Sequence, residues 1–152
     1  MMTDFIPLLP ILIPLISGII MLFTGRNNVY LQRVIASVSG LVLVIVSIIT
    51  IVYIANNGML VTHMGNWEAP YGISMVIDML AALLLFGTAI VTFTVVVYSF
   101  QSIGVARERY FYYPMIMFMI TGVNGAFITG DIFNMFVFFE VFLLASYVLI
   151  TI

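Results

Sequence analysis

The chain has 152 residues, 64% of them apolar and 7% charged, with a mean hydropathy of +1.30. A soluble domain averages about 45–50% apolar and about 25% charged residues, so a water-soluble fold, a nucleic-acid binder and a disordered chain are all excluded. Four arginines, six acids, no lysine, no cysteine and the single His63 leave no material for disulfides, iron–sulfur clusters or bis-histidine haem, and no cofactor or metal is expected.

Five stretches hold the roughly 20 apolar residues that a helical membrane crossing needs: 5–23, 34–54, 79–100, 110–128 and 132–152. They predict an all-α polytopic membrane protein rather than a barrel of short alternating strands. The first span follows an acidic start at Asp4, with neither a basic leader nor a clear cleavage site, so it reads as a retained helix and not a signal peptide. Pro7 and Pro10 sit near its beginning, and Pro14 is expected to kink it. In the 56–78 link, turn residues bracket the run Met59–Met64, which predicts a small external hairpin, with Trp67 and Tyr71 at the lipid–water boundary. Asp78 immediately precedes the third span and is placed to cap it, with a role in proton entry as the alternative. Tyr110–Tyr113 reads as an interfacial aromatic belt, and Pro114 falls in the first turn of the fourth span. Gly122 and Ala126 are spaced for close helix packing, and Asn124 between them reads as interhelical glue before it reads as an ion ligand.

The charges give a direction. Arg26 and Arg33 flank the first link, and Arg107 and Arg109 occupy the third, whereas the other links and the amino terminus carry no basic residue. The positive-inside rule then places the amino terminus outside and the carboxyl terminus inside. Asp4, Glu68, Asp78 and Asp131 fall on the external side, and Glu108 lies among the cytoplasmic arginines.

The fifth span contains an acid that lipid disfavours. Glu140 follows Ile132 by eight residues, about 12 Å along a helix and near the midplane of a core about 30 Å thick. A carboxylate there costs about 2.5–3.5 kcal/mol even on the lenient insertion scale. Phe136, Leu144 and Tyr147 flank it on one helical face and cannot balance a charge. Two readings stand: a protonated Glu140 as structural glue, or a proton-carrying carboxylate on a transport path. Asp78, Asn124, Asp131 and Asn134 are further proton-path candidates.

The runs Gly65-Asn-Trp-Glu-Ala-Pro-Tyr-Gly-Ile73 and Gly122-Val-Asn-Gly-Ala-Phe-Ile-Thr-Gly-Asp-Ile-Phe-Asn-Met-Phe-Val-Phe-Phe-Glu140 resemble the D subunit of Mrp/Mnh-type sodium/proton antiporters. The Phe-Val-Phe-Phe-Glu segment also resembles the antiporter-like subunits of respiratory complex I and membrane-bound hydrogenases. The resemblance implies a subunit of about fourteen transmembrane helices built as inverted repeats. It also implies other subunits of a hetero-oligomeric complex as partners, in a bacterial plasma membrane, with protons and sodium as the transported ions. A glutamate on the family's fifth helix pairs with a lysine on the seventh; Glu140 matches the glutamate, and the lysine has no counterpart among these residues. The apolar end Tyr147–Ile152 lacks a polar flank, and the chain is expected to be the amino-terminal part of a longer subunit. The alternatives are a proton-pumping subunit of a redox-driven complex and a truncated, non-transporting membrane fragment.

Overall fold

The computed structural model describes residues 5–24, 28–64 and 71–152; the expectations placed on Asp4, Arg26, Trp67 and Glu68 fall outside the described residues. A 3-10 turn, Ile6–Leu8, leads into α1 (Leu9–Phe23), which is followed by α2 (Val29–Asn57). Strands β1 (Leu60–His63) and β2 (Ser74–Ile77) precede α3 (Met79–Ser102), the short α4 (Val105–Glu108), α5 (Tyr112–Ile128) and α6 (Ile132–Thr151). Among the described residues, four segments are long and apolar enough to cross a membrane: Ile6–Phe23, α2, α3 and α6. With 17 residues, α5 is about 25 Å long, the short end of what a crossing requires. It is also the most enclosed helix, packed against α1, α3 and α6. The chain is a multi-pass, all-α membrane protein.

Lipid tails are as apolar as leucine, so helices in a membrane associate through close packing and hydrogen bonds, and small residues permit the approach. Three of the helix pairs here meet at a glycine facing a phenylalanine. A Cβ on Gly18 of α1 would lie 2.9 Å from the Phe118 ring of α5, and one on Gly40 of α2 would lie 3.3 Å from the Phe93 backbone of α3. A Cβ on Gly122 of α5 would lie 2.7 Å from both the Phe138 carbonyl oxygen and the Phe142 nitrogen of α6.

Proline adds a second tie. Pro14 inside α1 has no N–H to offer the carbonyl four residues back, that of Pro10. The Asn124 side-chain amide of α5, itself buried, donates to that Pro10 oxygen at 2.8 Å. Asn124 is therefore glue between α1 and α5, repairing a defect that proline creates.

The largest departure from expectation lies at the end of the bundle that carries the arginines. Helix α2 begins at Val29 and not near residue 34, which takes Arg33 inside the helix. A cation is tolerated there because the fully buried Glu108 neutralises it: Nε and Nη2 of Arg33 donate to the carboxylate at 2.7–3.2 Å. The Tyr113 hydroxyl donates to the same carboxylate at 2.7 Å and lies 3.2 Å from the Ser99 hydroxyl of α3. Tyr113 is completely buried, so it leaves the aromatic belt expected at 110–113, because its hydroxyl is needed inside to satisfy Glu108. The Arg33 guanidinium also sits 5.4 Å from the centre of the Phe100 ring. One cluster thus clasps α2, α3, α4 and α5. Between α4 and α5, Phe111 adopts a left-handed conformation (φ 63°), a strain of about 1–2 kcal/mol that lets the chain double back over Glu108.

At the opposite end, β1 pairs antiparallel with β2 in the register Leu60↔Ile77 to His63↔Ser74. Strand β2 is joined to the α5–α6 turn by a Met75–Thr129 bridge and by the Gly130 N–H, which donates to the Ser74 carbonyl at 2.8 Å.

Two double-mutant cycles test these ties. Arg33→Met strands a buried carboxylate and is expected to destabilise the protein by about 3–5 kcal/mol, while Arg33→Met with Glu108→Leu costs less than Arg33→Met alone. Asn124→Leu leaves the Pro10 carbonyl unpaired and is expected to cost about 1–3 kcal/mol. In a Pro14→Ala background, where an N–H returns to that carbonyl, the same change costs little. Denaturation midpoints in bicelles measure both cycles; strict additivity in either contradicts the tie it tests.

Candidate functional site

The candidate site is built on α6. Its start is organised by Asp131, whose carboxylate accepts from the Phe133 and Asn134 N–H groups at 3.3 Å each and thereby satisfies two of the open donors of the first turn. The buried Asn134 side chain donates to the Thr129 hydroxyl at 3.0 Å. Two of the residues singled out in the sequence, Asp131 and Asn134, are therefore brought together in one capping cluster. Asp78 caps α3, accepting from the Ala81 N–H at 2.7 Å. It lies at the same end of the bundle, because Ile77 ends β2 and β2 is bridged to Thr129. Asn124 stands apart from these, inside the α1–α5 contact; its Nδ2 is engaged by Pro10, and its Oδ1 has no hydrogen-bond partner among the described residues.

Glu140 is two turns further along α6. The side of this helix that packs on the bundle carries Asn134, Phe138, Phe142 and Ala145, at helical spacing. Glu140 is two residues, or about 200°, from both Phe138 and Phe142, and so projects from the opposite side. It is exposed on the surface of the described chain, with Phe136, Leu144 and Tyr147 on the same open side. Among the described residues no side chain hydrogen-bonds or ion-pairs with its carboxylate. Open apolar neighbours, helix position and a carboxyl group thus coincide on one side of α6.

The Arg33–Glu108–Tyr113–Ser99 cluster is missed by reasoning from sequence, which makes Arg33 a flank and Glu108 one charge among arginines. The available signal is that Glu108 is the sole acid among the basic residues of that end, followed five positions later by a tyrosine on the next helix.

No protein-family model matches the chain. It is 44% identical over 149 residues to the D subunit of the Na(+)/H(+) antiporter of Bacillus subtilis and 45% identical over 143 residues to the protein of the same name in Alkalihalophilus pseudofirmus. These alignments cover 98% and 94% of the chain and 30% and 29% of those proteins. The D subunit of a probable K(+)/H(+) antiporter of Rhizobium meliloti is 37% identical over 149 residues, covering 95% of the chain and 27% of that protein. Among solved structures, one polypeptide of the Mrp complex from Dietzia sp. DQ12-45-1b superposes with a TM-score of 0.85 at 28% identity, covering 97% of this chain and 27% of that one. A polypeptide of the membrane-bound sulfane sulfur reductase, an archaeal respiratory membrane complex, gives a TM-score of 0.82 at 27% identity, covering 93% of this chain and 29% of that one. The chain thus spans about 30% of the length of the curated relatives it matches. Across nearly all of its residues the chain is similar in sequence to a segment of the D subunit of Na(+)/H(+) antiporters and in fold to a segment of the Mrp complex.

Proposed function

We propose that the chain forms part of the proton path of a multi-subunit cation/proton antiporter, with Glu140 as the proton carrier. The observation that carries this reading is an acid halfway along an apolar helix, on the side turned away from its own bundle, where nothing among the described residues compensates it. A carboxyl so placed is costly unless it faces a polar interior or a cation supplied by further chain or another subunit. In the full subunit that partner is a basic side chain. Coupling between that partner and the carboxyl ties proton uptake to the state of the cation path.

The likeness to sodium/proton antiporter subunits supports sodium as the exchanged cation, other complex subunits as partners and a bacterial plasma membrane as the location. It also supports a secondary transporter and not an enzyme. Asp78, Asp131 and Asn134 act as structural supports at the hairpin end, where their polar groups also offer a proton approach to α6, whereas Asn124 is a tie between α1 and α5. The arginines at the clasp end set that end in the cytoplasm, with the β1–β2 hairpin outside. The second reading, a proton-pumping subunit of a redox-driven complex, draws on the likeness to the sulfane sulfur reductase polypeptide. It is separated by whether exchange runs on an imposed ion gradient alone, without an electron donor.

In the full-length subunit assembled with its partners, Glu140→Gln is expected to abolish proton-coupled cation exchange at normal expression. Glu140→Asp retains a titratable group withdrawn by one methylene and is expected to keep partial activity, since proton transfer needs hydrogen-bond reach. Asp131→Asn is expected to be milder than either. Everted vesicles with a pH-sensitive dye, challenged with sodium, report all three. Wild-type exchange by Glu140→Gln contradicts the assignment and leaves structural glue as the account of this acid.

A further inference from the structure

The turn of α6 that carries Glu140 is the turn pressed against α5. Its helical hydrogen bond runs from the Phe142 N–H to the Phe138 carbonyl, spanning Glu140, and these are the two backbone atoms that a Cβ on Gly122 would approach to 2.7 Å. That distance is shorter than any packing contact allows, and backbone cannot swing aside as a side chain can. One turn further along α5, a Cβ on Gly125 would overlap the Phe138 ring. The two glycines therefore meet α6 differently: Gly122 is blocked by backbone, Gly125 by one aromatic side chain. Because Phe138 and Phe142 lie opposite Glu140 on the helix, the depth and rotation at which they seat on α5 set where the carboxyl points.

We infer that Gly122 and Gly125 are positioning residues for the Glu140 carboxyl, acting through the seating of a single helical turn. This rests on the reading of Glu140 as a proton carrier, and the two separate experimentally. Gly122→Ala, in the full-length subunit assembled with its partners, is expected to push that turn outward and lower exchange by about tenfold or more, since ångström-scale misplacement costs up to about 100-fold. No change at Phe138 or Phe142 restores it, because the obstruction is backbone. Gly125→Ala is expected to impair exchange similarly, and Gly125→Ala with Phe138→Ala to recover most of it. Gly87 of α3, whose added Cβ would meet nothing within 4 Å, supplies the control: Gly87→Ala is expected to be silent.

Two readouts are taken on the same everted vesicles, both normalised to assembled complex: sodium-driven collapse of the pH gradient, and the pH dependence of Glu140 modification by a hydrophobic carbodiimide, followed by mass spectrometry. A positioning role shifts the pH midpoint of modification in both single variants and returns it in the Gly125→Ala/Phe138→Ala pair. A merely structural role lowers the amount of complex and leaves the midpoint in place, and that result overturns the inference. Should Gly122→Ala fail to assemble, the Gly125 series decides alone. Retained exchange in Glu140→Gln with a shifted midpoint in the glycine variants refutes the proton-carrier reading and keeps the positioning. Lost exchange in Glu140→Gln with unshifted glycine variants does the reverse.

Discussion

The architecture depends on how closely α5 is approached by its neighbours. Water drives soluble helices together by expelling apolar surface, but that force is missing between helices in lipid, so contact area and polar ties have to supply the cohesion. Helix α5 answers with close contacts built around glycine. Phe118 fills the space left by Gly18 of α1, and Gly122 and Gly125 admit the backbone and the Phe138 ring of α6. A helix seated this closely on both neighbours has little freedom to rotate. Whatever α6 carries on its far side inherits that rigidity, and what it carries is Glu140.

Polar ties lock the same helix lengthwise. Asn124 holds α1 by the one carbonyl that Pro14 releases, and Tyr113 reaches into the Arg33–Glu108 pair at the helix's beginning. Both are buried, and both are specific in a way that apolar contacts are not. An amide and a carbonyl, or a guanidinium and a carboxylate, meet in one register only, and slipping by a turn strands them in a medium that offers no substitute. Apolar packing brings the helices together, and the buried polar groups decide where along their length they stop.

Much of this is legible in the residues. The five apolar stretches locate the helices because a crossing needs a minimum run of apolar chain, and that constraint is severe enough to read from composition. Asp78 before Met79 announces a cap, and Gly122 announces close packing, because each depends on local spacing. The clasp is illegible for the opposite reason. Arg33 and Glu108 are 75 residues apart, and each is an ordinary polar residue near a helix end until the fold brings them together. Tyr113 is misread on the same account, since an aromatic at a span boundary looks interfacial unless its buried acceptor is known. For Glu140, the position along α6 follows from counting along one helix, whereas direction requires knowing which side of α6 meets α5.

The central claim is that the Glu140 carboxyl, held outward by α5, gains and loses a proton as cation exchange proceeds. Infrared difference spectroscopy of the assembled complex, recorded on adding sodium, tests this most directly, because a protonated carboxylic acid has a carbonyl band distinct from that of a carboxylate. The account predicts that a protonated-carboxyl band bleaches when sodium is added and that Glu140→Gln removes this change from the spectrum. Difference spectra that are the same with and without Glu140 would contradict it.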